Sequence, residues 1–252
     1  SPETPGSAYI LLHHVFGEID GEKGAWGHAV GGMGSITQLM KDVCEEKGVE
    51  ISTNAAVEKV LIKNNKAIGV MLEDGSQVFA DKVISNLNPK LLFKKLVDKN
   101  DVDREYRRKI LNYKCGSGTF RMNVALSELP DFNCLPGKKI SEHHMSGIVI
   151  APSLTYMDQA FTDAKQYGWS KNPIVEMLIP STVDSSLAPE GKHVASLFCQ
   201  QFAPILPDNK SWHDEKNNAA NTIVETVNRF APNFKKSILG MSILSPLDLE
   251  EK

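Results

Sequence analysis

The 252-residue sequence predicts an α+β fold in two regions. Three observations predict it. Short β-prone runs separated by turn residues fill the chain from Val49 to Asn86, and longer apolar runs with helical stretches between them follow as far as Pro232. Segregated groups of antiparallel strands and helices are the pattern of this class. Nowhere does a strand lead into Gly-x-Gly-x-x-Gly and a helix with an acidic residue about 20 positions later, so an N-terminal dinucleotide-binding βαβ unit is expected to be absent. The two regions are expected to divide near residue 88, as 1–88 and 89–252.

The first helix follows "GAWGHAVGGMGSITQLM", where Gly24, Gly27, Gly31, Gly32 and Gly34 fall within eleven residues. Ile36, Leu39, Met40, Val43 and Cys44 are spaced i, i+3, i+4, i+7 and i+8, which places them on one helical face. Ser35 and Gln38 form a capping-box pattern, and Gly48 supplies the stop. Next come "VEKVLIK" and "KAIGVML" around Asn64-Asn65, then "SQVFADKVISN" after Asp74-Gly75; both dipeptides suit tight hairpin turns with positive φ. "KVISNLNP" is predicted to be the last strand of this meander. A charged helix is expected from Pro89 to Leu111, with Leu91, Leu92, Leu96, Tyr106 and Ile110 as its apolar positions. "GSGTFRMNVAL", "HMSGIVIAP", "PIVEMLIPS" and "HVASLFCQQF" read as four longer strands, with a helix near 156–166 between the second and third. Ala220, Ile223, Val224, Val227 and Ala231 mark a last helix, which Pro232 ends.

With 41% hydrophobic and 23% charged residues, the sequence reads as a soluble globular protein. A formal charge of -3 and the lack of a Lys/Arg-rich run argue against a nucleic-acid partner. No apolar run reaches the roughly 18 residues that a transmembrane helix needs. Cys44, Cys115, Cys134 and Cys199 are widely separated with no CxxC pair, which points to reduced, buried thiols in a cytoplasmic setting, or a mitochondrial matrix if the source is eukaryotic. His13-His14 and His143-His144 are adjacent pairs whose members face opposite ways on a strand, so no metal site is expected. Ser146-Gly147 makes no Gly-x-Ser-x-Gly nucleophile turn, and no catalytic residue is identified. "GSGTF" leads into a strand, unlike a phosphate loop. The glycines before the Ser35 helix serve either a tight helix entry or a polyphosphate or flavin lying over the loop. Trp26 and His28, interleaved with them, either line a pocket or pack within the loop.

Taken in order, these stretches are more specific than any one of them. A GGMG loop runs into a helix, followed by Gly48-x-x-Ile51 to Val57, a "GVMLEDG" hairpin, a run ending in Ser85-Asn86, and "IPSTVDSSLAPEGKHVASLFCQ" with its Ala-Pro-x-Gly turn. Over nearly its whole length the chain resembles the central segment of phytoene-desaturase-like and amine-oxidase-like flavoproteins. The resemblance implies an FAD-dependent oxidoreductase of dehydrogenase, desaturase or oxidase type, acting on an apolar or amine-like small molecule. It implies that Gly31 and Gly32 lie near the junction of flavin and substrate, that the backbone at Val57 meets the FAD adenine, and that Trp26 and His28 face the substrate cavity. Residues 1–88 would then be a partial, incomplete FAD-binding region, and 89–252 an antiparallel-sheet substrate domain. Such enzymes also carry a pyrophosphate-gripping strand–GxGxxG–helix and a second glycine-rich flavin segment, neither of which this sequence contains. FAD is therefore expected in a longer parent protein, of which this chain, opening on "SPETPGSAY", is an inactive fragment. The alternative is a non-catalytic binding or assembly module that offers its sheet to a protein partner or to a second copy.

Overall fold

The structure is a computed structural model that describes residues 5–10, 12, 16–25, 27–113 and 118–251. His13-His14, Trp26 and Cys115 lie outside the described residues, as do Gly116 and Ser117 of "GSGTF". Packing divides the chain into Lys41–Cys115 and a second unit made of Ser1–Met40 with Gly116–Lys252.

In chain order, β1 (Glu18–Ile19) and β2 (Glu22–Lys23) form a minimal hairpin ahead of helix α1 (Gly34–Glu46). The helix forms where the apolar spacing predicts, one residue before Ser35. Ser35 lies inside it, and its hydroxyl donates back to the Gly32 carbonyl at 2.7 Å instead of capping the helix from outside. Ile36, Leu39, Met40 and Val43 are exposed, so the predicted apolar face has no cover among the described residues.

Within Lys41–Cys115, strands β3 (Val57–Lys63), β4 (Lys66–Leu72) and β5 (Gln77–Phe79) pair as an antiparallel meander. Asn64 and Asn65 both take positive φ, 50° and 59°, the geometry that a two-residue hairpin loop requires. The Asp74-Gly75 turn is wider: only Gly75 is left-handed, and the Asp74 carboxylate accepts the Ser76 N–H at 2.9 Å and hydroxyl at 2.6 Å. "KVISNLNP" is not a strand. Its backbone finds no pairing neighbour among the described residues, and Ile84 is 94% exposed.

The helix expected over Pro89 to Leu111 is broken in two. A turn at Pro89–Leu91 continues in wider turns over Leu92–Leu96 and stops where Val97 becomes extended; α2 (Arg104–Leu111) then restarts behind Asp103. Short carboxylates cause the break by offering the backbone local partners. Asp98 accepts the Asn100 N–H at 2.9 Å, and Asp103 caps α2 by accepting the Tyr106 N–H at 2.8 Å. Leu92, Phe93, Leu96 and Val97 pack on Val57, Val60 and Ile62, which ties the Leu92–Leu96 turns to the meander. The division by packing therefore differs from one at residue 88: apolar contact, which composition along the chain does not report, decides it.

The larger unit is built on an antiparallel sheet of β6 (Phe120–Leu126), β7 (Ile148–Ile150), β8 (Trp169–Leu178), β9 (His193–Phe202) and β10 (Ile238–Leu244), in the order β10-β6-β9-β8-β7. The four expected strands are present. The fifth, β10, was missed because "SILGMSIL" follows a helix stop and is short of clear alternation; its place beside β6 comes from pairing, such as Met241 with Val124. Met122, Val124, Val175, Met177, Leu197 and Cys199 fall on one face by the two-residue period of the strands. That face is covered by α4 (Trp212–Phe230), through Ile223 and Val227. Helix α3 (Leu154–Tyr167), with Ala160 and Ala164 buried, instead bonds to the first half of β8: the Tyr156 hydroxyl donates to the Pro173 carbonyl, and Asp163 accepts the Ser170 hydroxyl. Each large side chain buried this way contributes about 2 kcal/mol of transfer free energy. Ser153 and Ser211 cap the two helices, accepting the N–H groups of Tyr156 and His213 at 3.1 Å each. At one end of the three inner strands Trp212 packs among Phe120, Phe202 and Trp169, and its indole N–H donates to the Ala203 carbonyl at 2.9 Å.

The end of this unit is fastened by Asp248, which accepts the Ser245 hydroxyl at 2.6 Å, the Ser245 N–H at 2.7 Å and the Lys216 ammonium at 3.0 Å. Burial pushes the Asp248 carboxyl up, but the Ser245 donors and Lys216 outweigh it and hold it at about 2. A carboxyl depressed in the fold contributes stability above its unfolded value of 3.8, and that contribution is lost as pH falls toward 2. Asp248→Asn should therefore cost about 2 kcal/mol at pH 7 and only about 0.4 kcal/mol at pH 2, where the folded carboxyl is half protonated. Urea melts of both chains at the two pH values read this, and an equal difference at both would refute it.

Candidate functional site

The glycine loop and the connection from β8 to β9 meet at one place. Gly31 and Gly32 both sit at φ 82°, a conformation that glycine adopts without steric cost, and this bends the chain into the start of α1. The Gly31 N–H donates to the Asp184 carboxylate at 2.7 Å. The other Asp184 oxygen accepts the Ser186 hydroxyl at 2.6 Å and the Ser186 N–H at 3.0 Å. A Cβ built on Gly32 would lie 3.5 Å from Leu187, so the loop rests on the turn that runs from Asp184 to Leu187. Asp184 is 7% exposed. The Ser186 hydroxyl first, then the Gly31 and Ser186 N–H groups, hold its carboxyl below the usual range, and the charge of His28 adds to this. Asp184 is thus an ionised anchor, not a base in waiting.

Beside this anchor lies a cleft of about 550 Å³. His28 and Val30 come from the glycine loop, Met145 from the segment before β7, and Leu178, Val183 and Asp184 from the end of β8 onward. The wall mixes polar and apolar surface in nearly equal measure, with His28 and Asp184 as its charged or ionisable groups. Ser146 also borders the cleft, but its hydroxyl donates to the Glu142 carbonyl at 2.9 Å, and no base activates it.

His143 and His144 are not on a strand. They occupy a single 3-10 turn, Glu142–His144, and their rings stack 3.9 Å apart. His144 is fully buried between the Pro130 carbonyl, 2.9 Å from its Nε2, and the Ser141 N–H, which donates to its Nδ1. Burial, then the neighbouring His144, lowers the pKa of His143. Among the described residues no three His, Cys, Asp or Glu side chains converge as metal ligands. Cys199 is buried and its thiol is pushed well up by burial, whereas Cys134 is exposed, contrary to the expectation that the thiols are buried.

Of the residues singled out in the sequence, Gly31, Gly32 and His28 are brought to one place. Val57 opens β3 in the other unit, where it pairs with Leu72. Asp184 was not singled out: "STVDSSL" holds no motif of its own, and only the approach of a loop 153 positions earlier gives the carboxylate a task.

Residues 2–119 match the family described as Flavin containing amine oxidoreductase. Pyridine nucleotide-disulfide oxidoreductase domain-containing protein 2 of Mus musculus is 37% identical over 256 residues, which cover 99% of this chain and 44% of that protein. The chain is similar to the flavin containing amine oxidoreductases over these residues. It also matches Phytoene desaturase (lycopene-forming) of Pseudescherichia vulneris, 24% identical over 254 residues, with 100% of this chain and 48% of that protein covered. The chain thus spans less than half the length of these curated relatives. Among solved structures, an oxidoreductase from Methanosarcina mazei shares the fold, with a TM-score of 0.60 at 19% identity, over 86% of this chain and 43% of that one. The chain is accordingly an α+β chain that corresponds to part of such a fold, and none of its described helices is long and apolar enough to cross a membrane.

The Asp184 anchor has a direct test. Asp184→Ala should speed amide exchange at 29–35 about tenfold or more while leaving β6 and β9 protected, because it frees the loop without touching the sheet. Asp184→Asn, whose side-chain oxygen still accepts from Gly31, should lie between. Hydrogen-exchange mass spectrometry decides; equal loop exchange in all three chains would remove the anchoring role.

Proposed function

We propose that the parent protein is an FAD-dependent oxidoreductase that withdraws hydride equivalents from an apolar or amine-like small molecule, and that this chain supplies its substrate side and part of its flavin side. The observation that carries the reading is the cleft, walled in part by apolar side chains, beside an anchored, left-handed Gly31-Gly32 loop. The loop suits a close approach by a planar ligand, because neither glycine presents a Cβ and a Cβ at Gly34 would meet nothing within 4 Å. In this reading Gly31 and Gly32 lie along the flavin, the backbone at Val57 meets its adenine, and His28 faces the substrate. Bound FAD would supply the hydride acceptor. The chain's own part is to orient the substrate along Val30, Met145, Leu178 and Val183, to keep water out, and to hold the loop through Asp184. No nucleophile is needed, which agrees with a site where Ser146 is unactivated.

The test is an absorbance spectrum of the full-length protein from 300 to 550 nm, followed by anaerobic mixing with apolar and amine substrates. A flavin band that bleaches with one substrate class supports the reading and names the class. A full-length protein that retains no flavin even with excess FAD would overturn it.

A further inference from the structure

Helix α2 carries Arg104, Arg107, Arg108 and Leu111 at i, i+3, i+4 and i+7, and so on one face. These four residues, together with Lys99, Asn100 and Asn112, line a cavity of about 610 Å³ within the Lys41–Cys115 unit. Among the described residues, four cations border it and no carboxylate does.

The sequence gives no warning of this, because Asp98, Asp101, Asp103 and Glu105 are interleaved with the basic residues. The fold separates the two signs. Asp98 turns to the Asn100 N–H, Asp103 to the Tyr106 N–H, and Glu105 to the Lys109 ammonium at 2.9 Å. Arg107 donates its Nε–H to the Phe93 carbonyl at 3.0 Å, which fixes the guanidinium. Among the described residues, Lys99, Arg104 and Arg108 have no ion-pair partner within 4 Å. The helix dipole accounts for cations in the last turn, but not for Arg104, which stands in the first turn, where a cation is disfavoured. Converging like charges repel, and a multiply charged anion is what relieves them; the planar guanidinium fork matches phosphate oxygens two at a time.

We propose that this cavity is a binding site for a phosphate-bearing ligand, held by Lys99, Arg104, Arg107 and Arg108 and separate from the cleft beside Gly31. The chemistry is shared by a free di- or polyphosphate compound and by the headgroup of an anionic phospholipid. The site is independent of the flavin reading, since the two sets of lining residues have no member in common.

The experiment is calorimetric titration of the full-length protein with inorganic pyrophosphate at constant ionic strength, set beside sedimentation with vesicles of phosphatidylcholine containing one fifth phosphatidic acid. Saturable binding of pyrophosphate supports the site and assigns it a soluble ligand; binding of the acidic vesicles alone supports it and assigns a headgroup. In either case the double variant Arg104→Gln/Arg108→Gln should weaken binding tenfold or more, whereas Lys109→Gln, outside the cavity, should leave it within twofold. No binding in either arm, or binding that survives the double variant, overturns the proposal. The thermal midpoints of the variants are compared with the parent, and Arg104→Lys/Arg108→Lys, which keeps the charge but loses the fork, should recover part of the affinity.

Discussion

Gly118→Ala is expected to destabilise the larger unit by about 3 kcal/mol or more. A Cβ at Gly118 would overlap the Phe202 carbonyl oxygen, and the next atoms in its path are also backbone, so no side chain can swing aside. The two strands meet there because the Phe202 N–H donates to the Gly118 carbonyl at 3.2 Å. Relief requires β6 and β9 to part at the end where Phe120, Phe202 and Trp212 pack together. The loss therefore combines strain with the opening of an aromatic cluster. Denaturant midpoints of parent and variant measure it, and a shift below about 0.5 kcal/mol would mean that the close approach is not maintained in solution.

Gly32→Val in the full-length protein is expected to lower flavin retention by about tenfold, equivalent to about 1.4 kcal/mol. At φ 82° a residue with a Cβ pays about 1–2 kcal/mol, and a β-branched one is a true outlier. Its methyl groups would also press on Leu187, which a bare Cβ would only touch at 3.5 Å. The loop must then shift off the Asp184 turn, and the proposed flavin-facing backbone shifts with it. FAD per chain after gel filtration, read from the visible band, gives the answer. Gly24→Val, at a left-handed glycine with nothing within 4 Å of its Cβ, controls for strain alone. Equal retention in Gly32→Val and the parent would count against the placement of the loop beside flavin.

Much of the architecture was legible in local signals. The 3.6-residue spacing from Ile36 to Cys44 located α1, Asn64-Asn65 located a hairpin, and Val, Ile and Phe runs located four strands of the main sheet. Errors arose where a local signal depends on a distant neighbour. "KVISNLNP" has strand composition but no strand beside it, and "SILGMSIL" has an undistinguished pattern but pairs along β6. The site divides in the same way. The order of motifs around Gly31-Gly32 was enough to indicate a flavoprotein relative, whereas the carboxylate that anchors the loop carried no mark.

The sequence by itself determined the class of fold, the loop, the helix after it and the likeness to flavin amine oxidoreductases, because periodicity, turn chemistry and motif order are properties of neighbours along the chain. The tertiary structure decided which strands pair, that the Leu92–Leu96 turns pack with the meander, that Asp184 holds Gly31, and that the basic side chains around α2 share a cavity while Asp98, Asp103 and Glu105 turn to local donors. The reason is physical: burial, pairing and the separation of charge are settled by which residues come within a few ångströms of one another, and contacts such as that between Gly31 and Asp184 join positions far apart in the chain.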